Sequence, residues 1–152
     1  MKTLKEKLKA LRPMAGTHIG LCDPAIAELI GNIGYDFMWI DTEHTPIDYH
    51  TLELMLIAAR AGGTEAIVRV PWNDAILAKR VLEMGPSGII FPMINTAEEA
   101  DRAMKSCLYP PEGNRGFGPL RAAQYGLEDA DHYIARSNRE LCRFIQIETV
   151  AA

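Results

Sequence analysis

The sequence predicts an α/β fold built on a parallel sheet, and three observations carry that expectation. Short apolar runs alternate with stretches of helical periodicity from Thr17 to the C-terminus. The runs are apolar throughout instead of alternating with polar residues, as in strands buried on both faces. Helical stretches are bracketed by capping residues in front and by glycine behind.

The first ten residues, Met-Lys-Thr-Leu-Lys-Glu-Lys-Leu-Lys-Ala, predict a short basic amphipathic helix. Thr17–Leu21 reads as a strand. Asp23-Pro24 supplies an N-cap and a proline at the first helical position, Ile26, Leu29 and Ile30 line one face, and Gly31 and Gly34 end the helix. Tyr35–Ile40 is the second strand. Leu52, Leu56 and Ala59 mark the next helical face, closed by Gly62-Gly63. Ala66–Val70 is the third strand. Asn73 or Asp74 caps a helix running to Met84, with Gly85 behind it. Gly88–Pro92 is the fourth strand, and Thr96-Ala-Glu-Glu99 is a capping box opening a helix to about Leu108. A helix over Glu128–Ser137 and a final strand over Leu141–Glu148 complete the chain. Five strands suit either an open doubly wound sheet or the first five-eighths of a (βα)8 barrel. Gly16, Gly20, Gly31 and Gly34 do not have the spacing of a dinucleotide fingerprint, which counts against the doubly wound nucleotide-binding option.

Composition narrows the classes of function. The 152 residues suffice for a single domain with a real core, and no linker or repeat divides them. A net charge of −4 without a basic stripe gives no reason to expect nucleic-acid binding. No apolar run approaches a membrane span, and the charged N-terminus lacks the apolar core of a secretory signal. Cys22, Cys107 and Cys142 are odd in number, widely spaced and set among apolar residues, as expected of reduced core thiols in a cytoplasmic protein.

Ligands of parallel α/β folds bind beyond the carboxyl ends of the strands, where this reading puts Asp41, Glu43, His44, Arg69 and Glu148. A carboxylate at the tip of a buried strand costs free energy unless a metal, cation or ligand pairs with it, so Glu148 draws attention. Gln146 and Glu148 are two residues apart and point to the same side of a strand. The group suits oxyanion stabilisation, with a cation on Glu148, Arg69 holding a carboxylate or enolate, and His44 moving a proton. Each has a plainer reading: His44 as a cap or loop hydrogen bond, Arg69 as an ion pair with Asp41 or Glu43, those two acids as a solvated turn or helix-entry acids, and Glu148 as a surface residue. Asp23 reads as a cap, and Met55, Met84, Met93 and Met104 as core filler. Trp39 reads as core, and Trp72 either covers the site or packs on it. The connection Tyr109–Gly126 is long for a compact domain and carries Arg115, Phe117 and Arg121, so an ordered loop covering the site is expected.

Five motifs occur in order: Ile40-Asp41-Thr42-Glu43-His44, Val68-Arg69-Val70-Pro71-Trp72-Asn73-Asp74, Phe91-Pro92-Met93, Tyr109-Pro110-Pro111-Glu112-Gly113-Asn114-Arg115-Gly116 and Gln146-Ile147-Glu148-Thr149. Together they resemble the metal-dependent (class II) pyruvate aldolases of the hydroxy-oxo-diacid aldolase and citrate lyase family. The resemblance implies a (βα)8 barrel assembled as a homo-oligomer. It also implies a magnesium, manganese or cobalt ion that chelates pyruvate, and cleavage of a 4-hydroxy-2-oxo acid to pyruvate and an aldehyde. It makes Glu148 a metal ligand and Gln146 a pyruvate contact. Arg69 would steady the enolate, His44 would transfer a proton, and Asp41 and Glu43 would support the water network and the histidine. Arg115-Gly116 would belong to the loop over the site.

Two features depart from the family pattern. Where many members have an Asp that pairs with the histidine, this chain has Glu83. The family's second metal-binding Asp and three further βα units would follow Ala152, so the resemblance implies weak or no activity for these residues alone. The competing readings are a non-catalytic, oligomerising fragment and an acyl-CoA lyase of the same family.

Overall fold

The computed structural model describes residues 3–152. Helix α1 (Leu4–Lys9) precedes strands β1 (Gly16–Ile19), β2 (Phe37–Asp41), β3 (Glu65–Arg69), β4 (Gly88–Phe91) and β5 (Cys142–Ile145). Helices α2 (Pro24–Ile33), α3 (Tyr49–Ala61) and α4 (Ala75–Glu83) connect the first four strands. Helix α5 (Ala97–Ser106), a 3-10 turn (Gln124–Gly126) and helix α6 (Ala130–Glu140) lie between β4 and β5. All neighbouring strands pair in parallel, in the order β1-β2-β3-β4-β5. A doubly wound sheet reverses its strand order at a switch point; this one never does, so it winds in one direction as a (βα)8 barrel does.

Alternation along the strands sorts side chains onto two faces. Met38, Ile40, Val68, Val70, Ile89 and Phe91 face outward and pack with Ala27, Leu52, Leu56, Val81, Leu82 and Ala103 of the helices. Phe37, Trp39, Ile67, Ile90, Cys142 and Phe144 face inward, covered by Leu4 and Leu8 of α1 and by Met14. The caps read from the sequence form. Asp23 accepts from the Ala25 N–H, Asp74 accepts from Ile76 and Leu77, and Thr96 and Glu99 make a reciprocal capping box. Thr3 and Glu6 make a second such box on α1, whose first two predicted residues lie outside the described ones.

Three expectations are corrected. The last strand is Cys142–Ile145, not Leu141–Glu148, because the chain beyond Ile145 turns to pair with the β4–α5 loop: Gln146 N donates to Phe91 O, and Ile94 N donates to Gln146 O. Cys22 is exposed, whereas Cys107 and Cys142 are buried, and burial pushes both of those thiols up to about 11. The helix ended by Gly31 runs through it to Ile33 and stops at Gly34, which takes the left-handed conformation with φ 93°. Among the described residues no helix is long and apolar enough to cross a membrane.

Gly31 has another function, since α2 and α3 cross at it. A Cβ built there would lie 2.8 Å from Gly62 Cα and 2.9 Å from Gly62 C. Both are backbone atoms that cannot swing aside, so Gly31→Ala forces the helices apart. We expect a loss of about 1–3 kcal/mol, the usual cost of overpacking, read as a lower urea midpoint at unchanged m-value. An unchanged midpoint would show that the contact is not close in solution.

Candidate functional site at the carboxyl ends of the strands

The last residues of β2 and β3, Asp41 and Arg69, are register partners. By alternation both point inward with Trp39 and Ile67. Arg69 Nε donates to Asp41 Oδ1 at 2.9 Å and Nη2 donates to Oδ2 at 2.7 Å, a two-pronged guanidinium–carboxylate pair. Asp41 is 2% exposed and Arg69 8%. Burial alone would push the Asp41 carboxyl up, but hydrogen bonds from Arg69 and from the Glu43 N–H outweigh it and hold the pKa at about 2. The Arg69 guanidinium rests 5.0 Å from the centre of the Trp39 ring.

The remaining groups collect around this pair. Glu43 Oε2 lies 2.9 Å from Arg69 Nη1, and the same nitrogen donates to Gln146 Oε1 at 3.4 Å. Arg69 thus ties together residues from the ends of β2, β3 and β5. His44 is exposed, with Nε2 3.7 Å from Glu43 Oε2. Glu148 is exposed beyond β5, and its Oε2 accepts the Met93 N–H at 2.7 Å. Met93 donates from a left-handed conformation, φ 54°, rarely adopted by non-glycine residues. Trp72 is exposed on the turn after β3. Sequence reasoning missed His18 on β1, whose Nε2 sits 3.4 Å from Asp41 Oδ2 and whose ring meets Trp39 edge-on at 5.3 Å. Its parity with Thr17 and Ile19 could have placed it on the inner face. The backbone contribution of Met93 left no side-chain signal.

Chemically, this mouth offers one guanidinium and several carboxylates on an otherwise apolar floor. Both Asp41 oxygens are engaged by donors and the Glu43 carboxylate lies on Arg69, whereas among the described residues Glu148 Oε1 makes no hydrogen bond. Among the described residues no three His, Cys, Asp or Glu side chains converge as a metal cage.

Three predicted residues are elsewhere. Glu83 ends α4, which runs antiparallel to the strands, so it sits at their amino ends, opposite the mouth. It does not meet His44. Its Oε1 instead accepts from Arg115 Nη2 at 3.2 Å. Arg115, its side chain only 1% exposed, also reaches Ser137 and Tyr133 and lies against the Tyr109 ring. The Tyr109–Gly126 segment is ordered as expected, but it runs along α4 instead of covering the mouth. Gly116 passes Lys79, Ala122 N donates to Glu83 O, and Arg121 bonds Met84 O. Its aromatic residues Tyr109 and Phe117 pack on Tyr133 of α6, which explains why a segment without a periodic face is fixed.

A one-directional parallel sheet defines the class, a protein of the (βα)-barrel type, and its acid–arginine–carboxamide cluster lies at the carboxyl ends of the strands, where barrels of this type place their ligand sites. The profile of the HpcH/HpaI aldolase/citrate lyase family matches residues 15–152, and the chain belongs to that family. It is 32% identical over 148 residues to a hydroxypyruvate/pyruvate aldolase of Roseobacter denitrificans, covering 97% of this chain and 58% of the relative. It is 37% identical over 145 residues to a 4-hydroxy-2-oxo-heptane-1,7-dioate aldolase of Klebsiella pneumoniae, covering 95% and 55%. The crystal structure of an HpcH/HpaI aldolase from Desulfitobacterium hafniense superposes with a TM-score of 0.91 at 27% identity, over 100% of this chain and 59% of that one. The chain therefore spans a little over half the length of the relatives it matches.

The Asp41–Arg69 pair makes stability depend on pH with a defined sign. The depressed Asp41 pKa stabilises the fold above the carboxyl's ordinary value of 3.8, and that contribution is lost as pH falls toward about 2. Arg69→Met leaves a buried carboxylate unpaired, a loss of about 3–5 kcal/mol near neutrality. Protonating Asp41 then relieves the fault, so the gap in urea midpoint between wild type and variant narrows on acidification. A gap independent of pH would contradict this account of the pair.

Proposed function

We propose that this chain forms the oxo-acid half of a divalent-metal-dependent aldolase that cleaves 4-hydroxy-2-oxo acids to pyruvate and an aldehyde. The carrying observation is the Arg69 guanidinium, locked by Asp41 and Glu43, directed to Gln146 and close enough to Glu148 to feel its charge. Cleavage removes the C4 hydroxyl proton, breaks the C3–C4 bond, places the electron pair on the enolate oxygen of pyruvate and returns a proton to C3. Charge therefore develops on one oxygen, and a preorganised, desolvated guanidinium is suited to meet it. With Nε and one Nη2 hydrogen committed to Asp41, Arg69 keeps a second Nη2 hydrogen for that oxygen. Gln146, reaching Arg69 from the end of β5, would orient the oxo acid. His44, half freed from Glu43 and open to solvent, would carry protons to and from the hydroxyl. Trp72, at the rim, would flank the aldehyde-derived half.

Oxygen donors suit magnesium, manganese or cobalt in kind, and Glu148 with its free Oε1 would hold the ion. One carboxylate is too few for tight binding, so the remaining positions would fall to substrate oxygens, water and groups outside these residues. When bound, such a cation polarises the oxo group as a Lewis acid. The edge strands β1 and β5 each have one neighbour, and unpaired backbone of this kind favours assembly, which supports the homo-oligomer reading.

The test is pyruvate release from a panel of 4-hydroxy-2-oxo acids with manganese or magnesium, before and after EDTA. We expect release that is weak for these residues alone, that chelation abolishes and that Arg69→Ala lowers by roughly 10²–10³-fold, the usual loss for an oxyanion donor. Release indifferent to EDTA, or undiminished by Arg69→Ala, would refute the assignment.

A further inference from the structure

His18 is the side chain at the mouth that the aldolase reading leaves without a task. It stands on β1 opposite Trp39 in register, on the inner face, and its side chain is 51% exposed. Asp41, held ionised by Arg69, can only accept hydrogen bonds. The ring nitrogen facing it, Nε2 at 3.4 Å from Oδ2, must therefore carry the hydrogen. That fixes the neutral ring in one tautomer, with the lone pair on Nδ1. Among the described residues Nδ1 makes no hydrogen bond, and the side chain as a whole is half exposed. The edge-on contact with Trp39 holds the ring plane, while Trp39 itself lies under Arg69.

We propose that His18 is a specificity residue whose Nδ1 accepts a hydrogen bond from a hydroxyl on the aldehyde-derived half of the substrate. The preferred substrates are then those derived from hydroxyaldehydes, ahead of plain alkyl or carboxylated ones. Charge at the mouth points the same way. Asp41, Glu43 and Glu148 face one guanidinium, three negative charges against one positive, so the described groups sum to −2. A divalent cation would cancel that surplus, but the carboxylate of the oxo acid itself makes the site negative again. A second carboxylate on the aldehyde side meets no free cation there, whereas a hydroxyl meets the Nδ1 acceptor. An acceptor on a ring held by Asp41 and Trp39 favours the substrate that brings a hydroxyl to it, by about the worth of one hydrogen bond.

This inference rests on the aldolase reading, and the experiment separates the two. Cleavage of 4-hydroxy-2-oxopentanoate and of its 5-hydroxy derivative is compared at pH 8 with manganese for wild type, His18→Gln and His18→Asn. The glutamine amide reproduces Nε2 and its bond to Asp41 but not Nδ1; the asparagine amide reproduces Nδ1. We expect the ratio of kcat/KM values, hydroxylated over plain, to fall about tenfold in His18→Gln, the worth of one hydrogen bond, and to be kept largely by His18→Asn. An unchanged ratio in His18→Gln would reduce His18 to a support for Asp41 and overturn the proposal. Imidazole ¹⁵N spectra provide the arm that needs no turnover. The free protein should show the Nε2–H tautomer, and the Nδ1 resonance should move with the hydroxylated acid and not with the plain one. If wild type cleaves neither compound, the aldolase reading fails, and the resonance alone decides for or against His18. An Nδ1–H tautomer, or no selective movement, rejects it.

Discussion

The two-pronged bond between Asp41 and Arg69 organises the carboxyl end of this sheet. Two full charges are withdrawn from water there, which is tolerable because the geometry is close and further hydrogen bonds and charges meet the pair on both sides. The Glu43 N–H satisfies Asp41 from the following turn, and Glu43 and Gln146 satisfy Arg69 from two other strand ends. Because the partners are the last residues of adjacent parallel strands, their spacing is set by the sheet and not by flexible loops. Removing either member would disturb the turn after β2 and the chain after β5 together.

Winding in one direction separates the molecule into two ends with different needs. At the amino ends of the strands a second buried arginine, Arg115, is also matched to a carboxylate, Glu83, and is enclosed by Tyr109, Tyr133 and Ser137. That cluster fixes the α5–α6 connection to the end of α4 and exposes no free donor to a ligand at the mouth. At the carboxyl ends the carboxylates outnumber the guanidinium, and Glu148 keeps an open oxygen. In barrels of this kind the first end serves stability and the second serves chemistry. Two buried arginines thus differ in what surrounds them: aromatic rings and hydroxyls in one case, a polar rim open to solvent in the other.

Much of this was legible in the residues. Uniformly apolar runs announced a parallel sheet, and Asp23, Asp74 and Thr96 capped their helices as their side chains dictate. The strand reading puts Asp41 and Arg69 at carboxyl ends of strands, and the plainer reading of Arg69 as an ion pair with Asp41 or Glu43 is the one the structure forms. What escaped was non-local. The sequence cannot show that Pro110–Arg121 folds back along α4, because that path depends on Tyr109 and Phe117 meeting Tyr133 of a later helix. The place of Glu83 is non-local in the same way: within this chain it ends α4 and meets Arg115 and not His44, which no residue type in the sequence reports. Met93 escaped because its contribution is an N–H in an unusual backbone conformation, which no side-chain pattern reports.

The structure also divides the mouth by rigidity. Asp41, Arg69 and His18 sit on strands, and Gln146 is held to the β4 chain by backbone bonds on both sides. His44, Trp72 and Glu148 sit on irregular segments outside the strands, although Glu148 is steadied by Met93 N and by the Asn95–Thr149 contact beside it. Under the aldolase reading the oxo acid is common to every substrate and the aldehyde varies. A constant group is best met by side chains whose positions the sheet dictates, and a variable one by loops that can change without disturbing the core. His18 is the exception, a strand residue directed toward the variable half. Its position on a β-strand means that any preference it imparts cannot be relaxed by loop movement, so it would act as a fixed filter and not as an adaptable contact.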